Sequence, residues 1–273
     1  MLNYYLLKTF KQKNENVLLF IPKIMSQIRK NIYKSIFEKN VQLIGEEKQN
    51  KLKNAHVAVF GLGGVGSYAL EAIVRAGVGT ITIIDFDRVE ISNINRQLLA
   101  TYQTIDKYKT DVAEERIYTI NPEVHLHKFT IFITKETIPS ILKNNIQYAI
   151  DAIDTIESKV HLLESLYKNN IKTISCMGAG WKINPSAITI ADISKTHTCP
   201  LAKIIRTELR KRNITKGIPC VFSKEPPIKS EISPESNLYM FKGNKKNIGS
   251  ISYLPGIIGL TAGGYIINQI INS

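Results

Sequence analysis

Asp85, Asp87, Asn93, Arg96, Gln97, Lys109 and Asp154 are the residues whose types and spacing could do chemistry in this chain. The first five fall within Asp85-Phe86-Asp87-Arg88-Val89-Glu90-Ile91-Ser92-Asn93-Ile94-Asn95-Arg96-Gln97, and Lys109 follows thirteen residues after Arg96. Asp154 closes the phrase Asp151-Ala152-Ile153-Asp154. Carboxylates are hard oxygen ligands for magnesium, while guanidinium and ammonium groups grip phosphate oxygens. A nucleoside triphosphate with a metal needs that mixture; a redox cofactor does not.

The elements before these residues set where they would stand. Val57–Phe60 is a short apolar run of the kind expected of a parallel strand covered on both faces. Gly61-Leu62-Gly63-Gly64-Val65-Gly66 follows, then a helix-compatible stretch from Ser67 to Ala76, then a second apolar run, Thr80–Ile84, ending in Asp85. Gly61, Gly63, Gly64 and Gly66 allow a sharp turn that lets backbone approach a phosphate, with a helix N-terminus presenting free N–H groups. Asp85 falls where an acid would accept hydrogen bonds from a ribose. A glycine pattern alone points first to NAD or FAD; the acids, amides and arginine that follow argue for ATP.

Further along, Lys135–Leu142 reads as helix, Tyr148–Asp151 as strand, Glu157–Asn169 as helix, Thr173–Cys176 as strand and Ala187–Ala191 as another strand. This alternation predicts an α/β fold, a doubly wound Rossmann-like and mostly parallel sheet, with a loop-rich C-terminal region over about Lys216–Ser250 that holds a little strand, and a terminal helix. Leu254–Ile271 is apolar enough to suggest a membrane anchor, but Pro255, glycines, Asn268 and Gln269 interrupt it. A helix buried against the sheet, with no membrane, is the expectation.

The motifs resemble the ubiquitin-activating-like adenylyltransferases, the superfamily of the ThiF, MoeB and HesA proteins, which use ATP to adenylate a carboxylate. The resemblance implies that Asp85 binds the ribose, that Asn93, Arg96 and Lys109 hold the phosphates with Gln97 beside them, and that Asp154 coordinates Mg2+ with Asp87 close by. Arg96, Lys109 and Asp154 would carry the catalysis. Leu43-Ile44-Gly45-Glu46-Glu47, Ser175–Ala179, Pro200-Leu201-Ala202, Cys220–Ser223 and Gly249–Pro255 are most similar to the tRNA threonylcarbamoyladenosine dehydratase branch. In that branch ATP activates the threonyl carboxylate of a modified adenosine beside the anticodon, and ring closure expels AMP. Members are homodimers with sites near the interface. Sulfur-carrier activators, the rival branch, generally carry two Cys-x-x-Cys zinc pairs. Three cysteines with no such pair exclude a four-thiolate site here. Sulfur-transfer partner proteins stay open, as does a redox dinucleotide-binding protein.

One departure is Lys39, where the family has an arginine thought to reach the ATP of the partner subunit. Lysine still neutralises phosphate but lacks the planar fork. Cys176 and Cys220 could accept an acyl group, yet cyclisation needs no thiolate if the nucleophile belongs to the substrate. The five histidines, His56, His125, His127, His161 and His197, show no ligand spacing and read as surface residues.

The formal net charge is +13, and its distribution is uneven. Residues 1–35 carry seven basic and one acidic side chain and residues 195–246 carry twelve and four, so the rest is close to neutral. Lys203, Arg206, Arg210, Lys211, Arg212 and Lys216 form a stripe suited to a phosphate backbone, such as that of a tRNA. Lysine, asparagine and isoleucine are abundant throughout, so composition accounts for part of this. Residues 1–35 read as a basic extension outside the family pattern, arising from a misplaced start codon before Met25 or from an organelle-targeting leader. Residues 36–273 read as the ATP-binding domain, with 195–250 facing the substrate. Unpaired cysteines suit a reducing, cytoplasmic setting.

Overall fold

The computed structural model describes residues 32–228 and 248–273. Most of the basic N-terminal extension and residues 229–247 of the basic loop region therefore lie outside the described residues. Seven strands form one sheet: β1 (His56–Phe60), β2 (Thr80–Ile84), β3 (His125–Phe129), β4 (Tyr148–Asp151), β5 (Lys172–Cys176), β6 (Ile188–Asp192) and β7 (Pro219–Ser223). Their order is β3-β2-β1-β4-β5-β7-β6, parallel throughout except for β6, which pairs antiparallel with β7. The doubly wound sheet expected from the alternating pattern is present.

Period-two alternation divides each central strand between two cores. Val57, Val59, Ile81 and Ile83 share one core with Leu70, Ile73, Ile258 and Ile266. Ala58, Phe60 and Ile84 pack with Ile138, Ile141, Leu162 and Leu166 in the other. Both faces are thus covered, which is why the strands read as unbroken apolar runs. The helices are α1 (Glu38–Ile44), α2 (Glu46–Asn54), α3 (Gly66–Arg75), α4 (Lys109–Ile120), α5 (Ile138–Leu142), α6 (Ile156–Lys168), α7 (Pro200–Arg210) and α8 (Tyr253–Ile271).

Helix α8 is the apolar C-terminal run, and it is long and apolar enough to cross a membrane by length and composition. Its glycines explain where it sits instead. A Cβ at Gly259 would stand 2.2 Å from Val65 O, and one at Gly263 would stand 2.7 Å from Ala72 Cβ. Small residues let α8 lie directly on α3, with Leu254, Ile258, Ala262 and Ile266 buried.

The little strand expected in the loop-rich segment from Lys216 is β7, Pro219–Ser223, inserted between β5 and β6. Two expectations need correction. The helix expected from Lys135 begins at Ile138, because the Thr134 hydroxyl accepts the N–H groups of Glu136 and Thr137 and forms a turn. His56 is buried, not a surface residue: its Nε2 lies 2.7 Å from Thr82 Oγ1, and its ring stacks on His127.

Burial, then the neighbouring His127 and His125, lowers the His56 pKa from 6.5 to about 4. Between those values the unfolded chain takes up the proton and the folded chain does not, so stability present above pH 6.5 is lost as pH falls toward 4. The urea midpoint is expected to drop over that window, and to drop less in His56→Asn, as equilibrium unfolding at pH 7, 6, 5 and 4 would read.

One backbone feature links distant segments. Trp181 sits at φ 58, the left-handed region that bulky residues rarely adopt. Its N–H donates to Gly249 O at 2.9 Å, and its carbonyl accepts from Ile228 N at 2.7 Å. A single residue thus ties together the chain on either side of residues 229–247.

Candidate nucleotide-binding site

Strand order reverses between β1 and β4, and ligands of open α/β sheets bind in the crevice outside the strand ends at such a point. Here that crevice is a pocket of about 900 Å3 lined by the glycine turn, the Asp85–Gln97 run, Lys109, residues 152–156, residues 176–180 and the start of α7. Gly61 leaves β1 at φ 87, and a Cβ there would meet Ala152 O at 2.8 Å. A Cβ on Gly66 would lie 1.7 Å from Gly61 O, and one on Gly64 would lie 3.1 Å from Pro255. Gly63 differs, since its nearest neighbour would be Gln97 Nε2 at 3.9 Å. Three glycines close the turn and the fourth leaves open space in the pocket, a cradle that a phosphate fits.

Asp85 is buried at the end of β2. Its Oδ2 accepts from Leu62 N at 2.6 Å and its Oδ1 from Asp87 N at 2.8 Å, so it braces the glycine turn as well as facing the pocket. Burial raises its carboxyl pKa, against the pull of the Lys109 charge and these two N–H groups. Lys109 opens α4 and is buried, donating to Asp87 Oδ2 at 2.8 Å. Asp87 is therefore engaged by a lysine. Arg96 is half-buried and donates through Nη1 to Ser92 O at 2.8 Å and to Asn95 Oδ1 at 2.9 Å. Asn93 is buried, and its Oδ1 accepts from Glu90 N at 3.2 Å, shaping the loop. Gln97 Oε1 is buried without a protein partner among the described residues, a polar end left for the ligand side to satisfy. Asp154 lines the same pocket from the loop after β4.

The structure thus brings together every sequence-expected residue except Lys39. That lysine stands on α1, donates to Gln42 Oε1 at 3.0 Å, and is not part of its own chain's pocket. Two aromatic residues escaped the sequence reading. Phe86 and Phe132 meet edge to face, ring centroids 4.7 Å apart, and both line the pocket. They leave the ends of different strands, so no local spacing joins them, and together they give the pocket an apolar aromatic wall.

The far end of the pocket holds Cys176, Lys182, Cys199, Pro200 and Leu201. Lys182 is buried, donates to Ser223 O at 3.0 Å, and has its pKa lowered by that burial. Burial pushes the Cys176 thiol up to about 12 and Cys220 well up also. In both, burial works against the thiolate that acyl transfer to them would need. Among the described residues no cluster of three or more His, Cys, Asp or Glu could hold a metal.

Beyond the pocket mouth, α7 carries part of the basic stripe. Lys203, Arg210 and Lys216 are exposed, as is Lys211, which pairs with Glu208 at 2.6 Å. Arg206 and Arg212 are correctly placed in sequence but otherwise employed: Arg206 donates to Thr196 O and Oγ1, and Arg212 pairs with Glu164 and Glu208.

Residues 37–273 match the ThiF family. The chain is 42% identical over 239 residues to a tRNA threonylcarbamoyladenosine dehydratase of Bacillus subtilis, covering 86% of this chain and 94% of that one. A dehydratase of the same name from Escherichia coli is 36% identical over 208 residues, 74% of this chain and 78% of its own. The crystal structure of the E. coli tRNA N6-threonylcarbamoyladenosine dehydratase in complex with ATP superposes with a TM-score of 0.78 at 30% identity, covering 88% of this chain and 95% of that one. A sulfur carrier protein adenylyltransferase of Thermus thermophilus, by contrast, matches only 42% of this chain, at 36% identity. With the switch-point pocket, its glycine cradle and its cationic rim in place, the chain belongs to the ThiF family.

Proposed function

We propose that this chain uses ATP to adenylate the carboxylate of threonylcarbamoyladenosine in tRNA, and that ring closure within that side chain then expels AMP. The observation that carries this reading is the convergence of the glycine cradle, Arg96, Lys109 and Asp154 on one pocket in a chain 42% identical to a dehydratase of that name. A carboxylate oxygen attacks the α-phosphorus and pyrophosphate leaves. A nucleophile of the same side chain then attacks the acyl carbon, AMP departs, and the nucleoside has lost the atoms of one water.

Each residue has a role in that sequence. The glycine turn and the N-terminus of α3 present N–H groups to phosphate. Asp85 accepts from the ribose, and Phe86 with Phe132 walls the base. Carboxylate attack on a phosphate meets like-charge repulsion, which Arg96 and Lys109 offset. Asn93 and Gln97 complete the polar lining around the phosphates. Mg2+ fits a site with one carboxylate, Asp154, because it usually keeps several waters and takes its remaining ligands from phosphate oxygens. Its contribution when bound is to neutralise phosphate charge. Exposed Lys203, Arg210, Lys211 and Lys216 suit the tRNA backbone, and α7, whose first residues line the pocket, leads from that surface to the reacting centre. In a homodimer, Lys39 would serve the partner subunit's ATP.

The test is AMP release from Mg-ATP with tRNA carrying the modified nucleoside against unmodified tRNA. AMP formed only with the modified tRNA, alongside loss of one water mass from its nucleoside, is the expected result. Silence with both, together with pyrophosphate exchange on a Gly-Gly-ended carrier protein, would overturn it in favour of sulfur-carrier activation.

A further inference from the structure

Beneath the pocket lies a charged group that no step above uses. Lys159, on α6, is fully buried, as is Asp151 at the end of β4. The Lys159 ammonium lies 2.7 Å from Asp151 Oδ2 and donates to Cys176 O at 2.8 Å and to Ile153 O at 3.1 Å. Asp151 in turn accepts from the Ser175 hydroxyl at 2.6 Å and, through Oδ1, from Ile153 N at 3.1 Å.

Three donors of one ammonium thus reach a carboxylate and two carbonyls, one in the loop after β4 and the other at the last residue of β5. Ile153 immediately precedes Asp154 in the loop after β4, on the nucleotide side. Cys176 leads into Met177-Gly178-Ala179-Gly180 after β5, on the side toward α7. Lys159 is the tie between these two loops, at the level where they become the pocket floor. A buried ion pair is a poor source of stability, since desolvation offsets most of the attraction. Its geometry nevertheless fixes the separation of the two loops that must hold ATP and the substrate carboxylate in register.

Resting on the adenylation reading above, we propose that Lys159 is a positioning residue: with Asp151 and Ser175 it sets the relative placement of the Asp154 loop and the Cys176–Gly180 loop, and so the alignment of carboxylate and α-phosphate. It touches neither reactant. The glycine turn, Asp85, Arg96 and Lys109 stand on other elements, so ATP still binds when the pair is lost.

The test is the double variant Asp151→Asn/Lys159→Met. Removing both charges avoids a lone buried carboxylate; the amide oxygen can still accept from Ile153 N, and the amide NH2 in place of Oδ2 can donate to the Ser175 hydroxyl, which turns to accept. The expected result is a folded protein with a lowered melting temperature, since the Cys176 and Ile153 carbonyls lose the Lys159 donor. ATP should still bind with Kd within about tenfold of the parent, while AMP-forming kcat at saturating ATP falls by about 100-fold, the scale of a misalignment near 1 Å. A folded, ATP-binding double variant whose kcat stays within threefold of the parent overturns the proposal, since a merely structural pair would leave turnover per folded site intact. Parent protein that releases no AMP with modified tRNA is a different failure, that of the adenylation reading itself. If the double variant does not fold, Ser175→Ala removes only the hydroxyl on Asp151. A fall of about fivefold in kcat at saturating ATP is then expected, the scale of one hydrogen bond, and an unchanged kcat overturns the proposal.

Discussion

Arg96→Ala is expected to lower AMP-forming turnover at least ~100-fold, the scale of losing one charge-stabilising donor, while leaving the fold intact. The structure separates these two effects. Arg96 makes its protein contacts through Nη1 and only to its own loop, at Ser92 O and Asn95 Oδ1. No core residue depends on it, so the melting temperature should move by no more than about 3 °C, as for a substitution outside the core. Among the described residues Nη2 has no protein acceptor, and it is the part of the fork available to a phosphate oxygen. Arg96→Lys should recover only part of the loss, because an ammonium cannot engage two oxygens in one plane. Single-turnover AMP formation read beside thermal unfolding checks both halves. Near-parental turnover in Arg96→Ala would remove this arginine from the reaction.

Gly66→Ala carries the second large expected effect, and Gly63→Ala is its control. A Cβ on Gly66 would lie 1.7 Å from Gly61 O and 2.8 Å from Gly61 C, both backbone atoms that cannot swing aside. Either the turn opens or α3 shifts against β1. Overpacking of this kind costs about 1–3 kcal/mol, and the reshaped turn should bind ATP too weakly to detect by calorimetry. A Cβ on Gly63 meets nothing closer than 3.9 Å, so Gly63→Ala should keep its melting temperature. It should nonetheless weaken ATP by on the order of tenfold, because the methyl takes space meant for phosphate. Loss of ATP binding in Gly66→Ala with unchanged binding in Gly63→Ala would mean that phosphate sits elsewhere.

Much of this site was legible because its parts are consecutive. Strand, glycine turn, helix, strand and Asp85 occupy residues 57–85, and each constrains the next through chain geometry alone. Arg96, Lys109 and Asp154 came from the motif they complete, and all three line the pocket. What stayed hidden depends on register between distant segments. Phe86 and Phe132 meet only because β2 and β3 pair in parallel from Thr80↔His125 to Ile84↔Phe129. Lys159 reads in sequence as one more lysine in a lysine-rich chain, since nothing near it says that β4 ends in a buried carboxylate beneath α6. His56 looked like a surface residue for the same reason: its partner Thr82 is on the neighbouring strand. Lys39 tests the reverse case, a residue whose expected role lies outside its own chain.

The clasp at Trp181 bears on how such a protein can change. Ile228 and Gly249 both bond to the backbone of one residue, one to its carbonyl and the other to its N–H, so the two ends of the span between them are held close together. The entropy of closing a loop grows only with the logarithm of its length, about 0.6 kcal/mol for each doubling. Insertions or deletions between those two anchors would therefore be close to neutral for folding. Chain length can thus drift between the two anchors while the sheet beneath them stays as it is.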